Sequence, residues 1–224
     1  MSSEPLVVDV YFSFRSPYSY LALPQLVSWK SKYKNLQLRM QPILPLLVRK
    51  PDFFEKVNPK THLYMKIDTR RVADQLGVPF KWFNPDPVPL HFDENGIHRM
   101  NEHQPYIYRL TYLGILAEEQ GHGLEFAAQV AHNIWTLDNW DQGSHLAEAV
   151  QRAGLNLAEL DQKLEQDWSR LEALEKEHVK ALDAAGHWGV PTCVFNGEPF
   201  FGQDRLELLL WRLRQHGLEE VSDS

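Results

Sequence analysis

The sequence of 224 residues contains a single cysteine, Cys193, so no disulfide can form within the chain. The same count excludes a Cys-x-x-Cys redox centre and a zinc site built from several thiolates. Ten histidines are present, but none stands in a metal-binding spacing such as His-Glu-x-x-His, and we predict no metal site. Redox cycling by a thiol pair of this chain is therefore excluded.

Basic clusters and long apolar runs are also missing. The formal net charge is -7, and no Lys/Arg cluster provides the basic face that nucleic acid or an anionic membrane requires. The first residues, Met1–Pro5, lack the basic start of a secretory signal, and no apolar run approaches the ~20 residues that span a bilayer. We expect a cytoplasmic protein with no nucleic-acid or membrane partner.

Hydrophobic residues make up 43% of the chain and charged residues 24%, as in a globular protein. Residues 6–14 are rich in β-branched and aromatic side chains and predict a strand buried on both faces. Ser16-Pro17 is typical of a helix start, and the apolar spacing that follows predicts a helix to about Tyr33. Alternation over 36–40 predicts a second strand, parallel to the first.

Helical periodicity dominates the middle of the chain, whereas residues 192–201 have the residue types of strands. Helices are predicted over 60–76, from about Tyr106, over 124–133 and, as the longest, after Asn156. Residues 192–201 predict two short strands joined at an Asn-Gly turn, followed by a last helix that begins near Gly202. The flanks together have the element order of a thioredoxin fold. We predict an α/β protein with a discontinuous thioredoxin-like domain (1–45 and 183–224) and a large all-helical insertion (46–182).

The turn that carries Ser16 is the first candidate site. In a thioredoxin fold the start of the first helix faces the substrate, and its free N–H groups and dipole favour an anion such as a thiolate. Redox members place Cys-x-x-Cys here, whereas this chain has Ser16 and Ser19. The thiol must then arrive with a ligand. The alternative interpretation is that Ser16 is a plain N-cap with Pro17 at the first helical position.

Two further segments complete the candidate site. In thioredoxin-like proteins a proline before the strand that follows the helical block is cis and exposes the backbone of the preceding residue to an extended peptide such as glutathione. Here these two residues would be Pro191 and Val190. The start of the last helix, Gly202 to Arg205, offers N–H groups to a carboxylate, and Asp204 can pair with an amino group. The alternatives are an ordinary edge proline at 191 and an ordinary turn and cap at 202–204.

These motifs resemble those of a known family: the 2-hydroxychromene-2-carboxylate isomerases and kappa-class glutathione transferases, which are related to the disulfide oxidoreductase DsbA. The carrying residues are Ser16–Ala22, Gly189–Thr192 and Phe201–Leu209, and residues 64–79 resemble the first helix of the family's inserted domain. The resemblance spans nearly the whole chain. It implies glutathione as the cofactor, a small aromatic or electrophilic substrate and a homodimer.

The resemblance also implies roles for individual residues. Ser16 would be catalytic by hydrogen-bonding the glutathione sulfur. The glutathione-binding residues implied are Ser16, Pro17, Asn58, Lys60, Val190, Pro191, Gln203, Asp204 and Arg205. An aromatic substrate pocket in the helical block could be lined by Tyr64, Trp135, Asn139 and Trp140, although a tryptophan stripe at helical spacing is also typical of a core.

The function that the resemblance implies is a glutathione-dependent isomerase. Glutathione thiolate would add to an electrophilic carbon, the substrate ring would open, a bond would rotate and the thiolate would leave, with Ser16 and the helix start stabilising charge. A kappa-like glutathione transferase and a binding module without catalysis are the alternatives. A disulfide oxidoreductase is the function we favour least, because a site without cysteines has no mechanism for disulfide reduction.

Overall fold

The computed structural model describes residues 4–51, 57–94 and 98–221. Within them, a four-stranded sheet has the order β2-β1-β5-β6. β1 pairs with β2 in parallel and with β5 antiparallel, and β6 closes a hairpin with β5. The bounds of the strands are β1 Leu6–Phe12, β2 Leu36–Pro42, β3 Leu90–Phe92, β4 His98–Met100, β5 Thr192–Phe195 and β6 Glu198–Phe201.

The helices divide between the two predicted units. α1 and α8 belong to the flanks that contain the sheet, and the others lie in the insertion. Their bounds are α1 Pro17–Lys32, α2 Leu46–Arg49, α3 Pro59–Leu76, α4 Ile107–Glu119, α5 Gly123–Thr136, α6 His145–Arg152, α7 Leu157–Ala184 and α8 Leu206–Gln215. A 3-10 turn, Gln203–Arg205, precedes α8.

The predicted strand–helix–strand unit and the terminal hairpin are confirmed. β1 lies between β2 and β5 and has buried residues on both faces, Val8, Val10 and Phe12 on one and Tyr11 on the other, as expected for an inner strand of a covered sheet. The turn between β5 and β6 has Asn196 and Gly197 at φ 50° and 79°, the left-handed conformation that a two-residue hairpin requires.

Four elements of the insertion were not predicted. α2 lies in a stretch for which no helix or strand was predicted, and α6 carries no long periodic pattern because it has only 8 residues. β3 and β4 form a separate two-stranded antiparallel sheet in the stretch that follows the proline-rich segment. The insertion is therefore mostly, but not entirely, helical.

One continuous cluster of buried side chains runs from the sheet into the insertion. Phe14 at the end of β1 meets Phe126 of α5 edge-on, with ring centroids 6.0 Å apart. Trp135 of α5 stacks on Tyr20 of α1 at 6.3 Å. Packing of this kind fixes α1 and the end of β1 against the helices of the insertion. No helix in the described part of the chain has the length and apolarity needed to cross a bilayer.

Candidate functional site

Ser16 lies at the junction of β1 and α1, and its side chain caps the helix. Its φ and ψ are extended, its Oγ accepts a hydrogen bond from the backbone N–H of Ser19 at 3.2 Å, and Pro17 occupies the first helical position. Ser19, at the second cysteine position of a redox relative, is buried and faces no solvent. Of the two serines, only Ser16 can meet a ligand at the positive end of the α1 dipole.

The bend that precedes β5 approaches the same point. The Val190–Pro191 peptide bond is cis, as predicted, and the Ser16 hydroxyl donates to the carbonyl oxygen of Val190 at 3.3 Å. The backbone N–H of Val190 donates to no acceptor among the described residues. A partly exposed hydroxyl, an N–H and a carbonyl thus converge from positions 174 residues apart.

The third predicted segment joins this pair through the backbone. The N–H of Gly202 donates to the carbonyl of Pro191 at 2.9 Å, so the 203–205 turn is fixed to the prolyl bend. Gly202 has φ +106°, a backbone conformation that L side chains rarely adopt, which favours glycine at this position. Arg205 Nη1 pairs with Asp204 Oδ2 at 2.9 Å, and both side chains are exposed.

The insertion holds the turn that carries Ser16 from the other side. The indole Nε1 of Trp135 donates to the carbonyl of Phe14 at 3.2 Å. Arg15 forms a bidentate ion pair with Asp86, its Nε and Nη2 each 2.7 Å from a carboxylate oxygen. Both contacts fall on the residues directly before Ser16, so the insertion fixes where the serine hydroxyl lies.

Helix α3 contacts the first turn of α1 through a carboxylate shared by two phenols. Tyr18 donates to Asp68 Oδ2 at 2.7 Å, and Tyr64 donates to Asp68 Oδ1 at 3.2 Å. Burial first, and then the hydrogen bond to Asp68, raise the pKa of Tyr18, and Asp204 adds to the rise. Tyr64 is 61% exposed, so its ring faces solvent beside this cluster.

Arg49 of α2 ties the segment after β2 to the bend at Val190. Its Nε donates to the carbonyl of Leu44 at 2.8 Å and its Nη2 to the carbonyl of Trp188 at 2.9 Å. Glu175 of α7 is buried and accepts from the Leu44 N–H at 2.9 Å, so both backbone groups of Leu44 are bonded. Burial lowers the pKa of Arg49.

The predicted residues Asn58 and Lys60 lie at the start of α3. Asn58 is its N-cap and accepts from the backbone N–H of Lys60 at 3.0 Å. Both side chains are exposed, and the structure gives neither a contact with Ser16, Val190 or the 203–205 turn. A cap role explains Asn58 without a ligand.

One of the predicted pocket residues, Trp135, is a core residue, which corrects that part of the prediction, whereas Trp140 lines a cavity of the helical block beside Tyr106. Trp135 is 0% exposed within a cluster of aromatic rings, and Trp140 is 3% exposed, with its Nε1 bonded to the carbonyl of Pro85 at 2.8 Å. Asn139 is exposed in a left-handed turn at φ 53°. An indole ring is apolar enough for the core when its N–H finds a carbonyl there, and both do. Of the four, Trp135 reaches the Ser16 turn through its bond to the Phe14 carbonyl, and Tyr64 lies on α3, which contacts the first turn of α1.

Sequence reasoning missed the residues that reach the site from the insertion. Asp86 stands in a proline-rich stretch that shows only that helix is absent, and Asp68 stands in an ordinary helical pattern. Arg15 could have been predicted as a site residue, because it directly precedes the Ser16-Pro17 helix start, where an anion site was predicted. Among the described residues, no group of three or more His, Cys, Asp or Glu side chains could hold a metal.

The lone thiol, Cys193, is buried in β5, and burial raises its pKa to about 12. A protonated, buried thiol is a poor nucleophile, so Cys193 has no part in the candidate site.

A model of the DSBA-like thioredoxin domain family matches residues 7–214. No curated protein matches the sequence significantly. The predicted fold and family are confirmed by this match, which includes Ser16, Pro191 and the 203–205 turn.

Solved structures share the fold. A 2-hydroxychromene-2-carboxylate isomerase gives a TM-score of 0.67 at 23% identity, over 94% of this chain and 96% of that chain. A probable DsbA oxidoreductase from Streptomyces coelicolor gives 0.60 at 16% identity, over 94% and 89%. The cytosolic disulfide reductase DsbM from Pseudomonas aeruginosa, solved with GSH, gives 0.57 at 18% identity, over 93% and 100%.

Proposed function

We propose that this chain, which belongs to the DSBA-like thioredoxin domain family, is a glutathione-dependent isomerase of the 2-hydroxychromene-2-carboxylate isomerase type. The observation that carries the proposal is the 3.3 Å contact between the Ser16 hydroxyl and the Val190 carbonyl at a site without cysteine. Such a site can stabilise a thiolate and cannot supply one. The likeness to an isomerase and to a reductase solved with GSH supports glutathione as the source of the thiol.

The geometry fits the cysteinyl part of glutathione. The free N–H of Val190 and its carbonyl are the two groups that an extended peptide uses when it pairs with a strand end. When the cysteinyl N–H takes the Val190 carbonyl, the Ser16 hydroxyl is released to donate to the sulfur. The positive end of α1 lowers the pKa of a thiol held there.

The glutamyl part would lie over the 203–205 turn. Gln203 and the N–H groups at this turn suit its carboxylate, and Asp204 suits its ammonium group, with Arg205 holding Asp204 in place. Pro17 and Pro191 would form the apolar floor between the two parts, since both are buried beside Ser16. The resemblance alone assigns Asn58 and Lys60 to the glycyl end or the second substrate, since neither contacts the Ser16 site.

The reaction uses glutathione as a nucleophile that is returned. The thiolate adds to an electrophilic carbon of the substrate and forms a C–S bond, the ring opens and rotation about a single bond follows. Expulsion of the thiolate breaks the C–S bond and leaves the isomer, so no electrons are gained or lost overall. Ser16 and the α1 start stabilise the sulfur charge before addition and after expulsion.

The proposal is tested by measuring whether glutathione binds and whether its thiol is ionised in the bound state. We expect calorimetry to show glutathione binding to the wild type, and the ultraviolet absorbance of the thiolate to show a thiol pKa well below its free value. Ser16→Ala should raise that pKa and lower kcat/KM by about 100-fold, the effect of removing one donor to a reacting charge. Ser16→Thr keeps the hydroxyl and is the matched control.

Product analysis with a hydroxychromene carboxylate and with aromatic electrophiles then separates the reactions. Isomerisation without loss of glutathione supports the proposal, whereas stable conjugates would indicate a kappa-class-like transferase. Binding without turnover of any substrate would indicate a binding module. A chain that binds no glutathione at millimolar concentration would refute all three.

A further inference from the structure

Arg15 has one occupied and one open hydrogen-bonding edge. Asp86 uses the Nε and Nη2 edge of the guanidinium, at 2.7 Å for both bonds. No bond from Nη1 to any residue is present in the described part of the chain, and the Arg15 side chain is 21% exposed. A guanidinium presents a second fork, between Nη1 and Nη2, whose geometry matches a carboxylate.

The surroundings keep this fork in place. Asp86 is itself fixed, because its Oδ1 also accepts from the backbone N–H of Val88 at 2.9 Å. The Phe83 ring lies against the guanidinium, with its centroid 5.5 Å from Cζ. An arginine held by a carboxylate on one side and an aromatic ring on another loses little conformational freedom when it binds an anion.

The position of Arg15 sets what it can bind. It directly precedes Ser16, so the open fork belongs to the same turn as the hydroxyl proposed to hold the glutathione sulfur. Phe83 supplies an aromatic surface next to it.

We propose that the open edge of Arg15 binds a carboxylate of the second substrate and makes the site selective for aromatic carboxylates over neutral analogues. This inference rests on the proposed function for the assignment of the neighbouring Ser16 site to glutathione. Arg15 is a specificity-determining residue, and Asp86 positions it.

The test compares one scaffold in two charge states. The probes are 3-benzoylpropionate and its methyl ester, which are saturated at the reactive position and cannot add a thiol. Calorimetry with and without glutathione gives both affinities for each variant. We expect the wild type to bind the acid at least about 10-fold more tightly than the ester, the effect of one charge-assisted bidentate contact.

Three variants decide the assignment. Arg15→Met should abolish the preference for the acid, and Arg15→Lys, which keeps the charge without the fork, should retain part of it. Arg109→Met is the matched control, because Arg109 forms the same bidentate pair with Asp161 inside the insertion, at 2.8 and 2.7 Å. It should leave the preference unchanged.

Equal binding of acid and ester by the wild type, or binding of neither at millimolar concentration, would overturn the assignment. So would an Arg15→Met variant that keeps the preference or loses affinity for acid and ester alike, since the arginine would then only support the turn. Glutathione binding, measured in the same experiments, reports separately on the proposed function.

Discussion

At the scale of single residues, the candidate site depends on a few positions where only one kind of side chain fits. Ser16 caps α1 and contacts Val190, so its small hydroxyl serves the fold and the site together. Gly202 is a second such position, because its φ of +106° and ψ of 150° belong to a region that side chains rarely adopt. Each can be probed by a change of one or two atoms.

Gly202→Ala tests the turn that joins the prolyl bend to α8. The added Cβ would meet Asp204 Oδ1 and strain the backbone, so we expect a loss of about 1–3 kcal/mol in the free energy of unfolding and weaker glutathione binding. Gly217→Ala is the control, since Gly217 also has a positive φ, of 83°, but lies after α8 with nothing within 4 Å of its Cβ. Urea unfolding and calorimetry measure both quantities. Unchanged glutathione affinity in Gly202→Ala would contradict the assignment of this turn to the ligand.

At the scale of elements, the insertion holds the start of α1 at four residues between positions 14 and 20. Trp135 bonds the Phe14 carbonyl, Asp86 bonds Arg15, and Asp68 bonds Tyr18. The phenol of Tyr20 donates to the carbonyl of Pro79 at 2.7 Å, and burial raises its pKa to about 12. The insertion therefore positions the site besides covering part of the sheet.

Two tryptophans of the insertion, Trp135 and Trp140, allow the effect of a lost hydrogen bond on stability to be distinguished from its effect on glutathione binding. Trp135→Phe and Trp140→Phe each remove one indole N–H and leave a buried carbonyl without its donor, which should cost about 1–3 kcal/mol of unfolding free energy. Only Trp135 bonds the turn before Ser16, so we expect glutathione affinity to fall in Trp135→Phe and to hold in Trp140→Phe. Equal affinities of both variants would show that the Phe14 contact does not position the site.

At the scale of the whole molecule, the sheet and insertion share one continuous core. Glu118 of α4 is a partly buried carboxyl group beside it. Burial raises its pKa to about 7, although a bond from the Met40 backbone and the charge of Lys30 act against the rise. The homodimer expected from the resemblance stays a prediction, as does the cytoplasmic location.

Glu118 predicts a pH dependence of stability. Its pKa is about 7 in the folded state against 4.5 in the unfolded chain, so the folded state binds more protons between these values. The free energy of unfolding therefore falls as the pH rises from about 4.5 to about 7, and levels off above. Glu118→Gln should remove that part of the fall and stabilise the protein at pH 8 relative to the wild type. Chemical unfolding across this range measures it, with the neighbouring exposed Glu119→Gln as a control that should keep the fall.

Short sequence motifs were enough to predict most strands and helices and the candidate site. One cysteine excluded a redox pair, residue types and apolar patterns predicted β1, β2, β5 and β6, and Ser16-Pro17, Asn196-Gly197 and Gly202 marked a cap and turns, because each depends on a few neighbouring residues. The tertiary structure decided which distant residues meet. Arg15 and Asp86 are 71 positions apart and Ser16 and Val190 are 174 apart, so no local pattern predicts the contact. The same applies to Trp135, whose periodic spacing is identical for a core and for a pocket wall until the facing side chains are known.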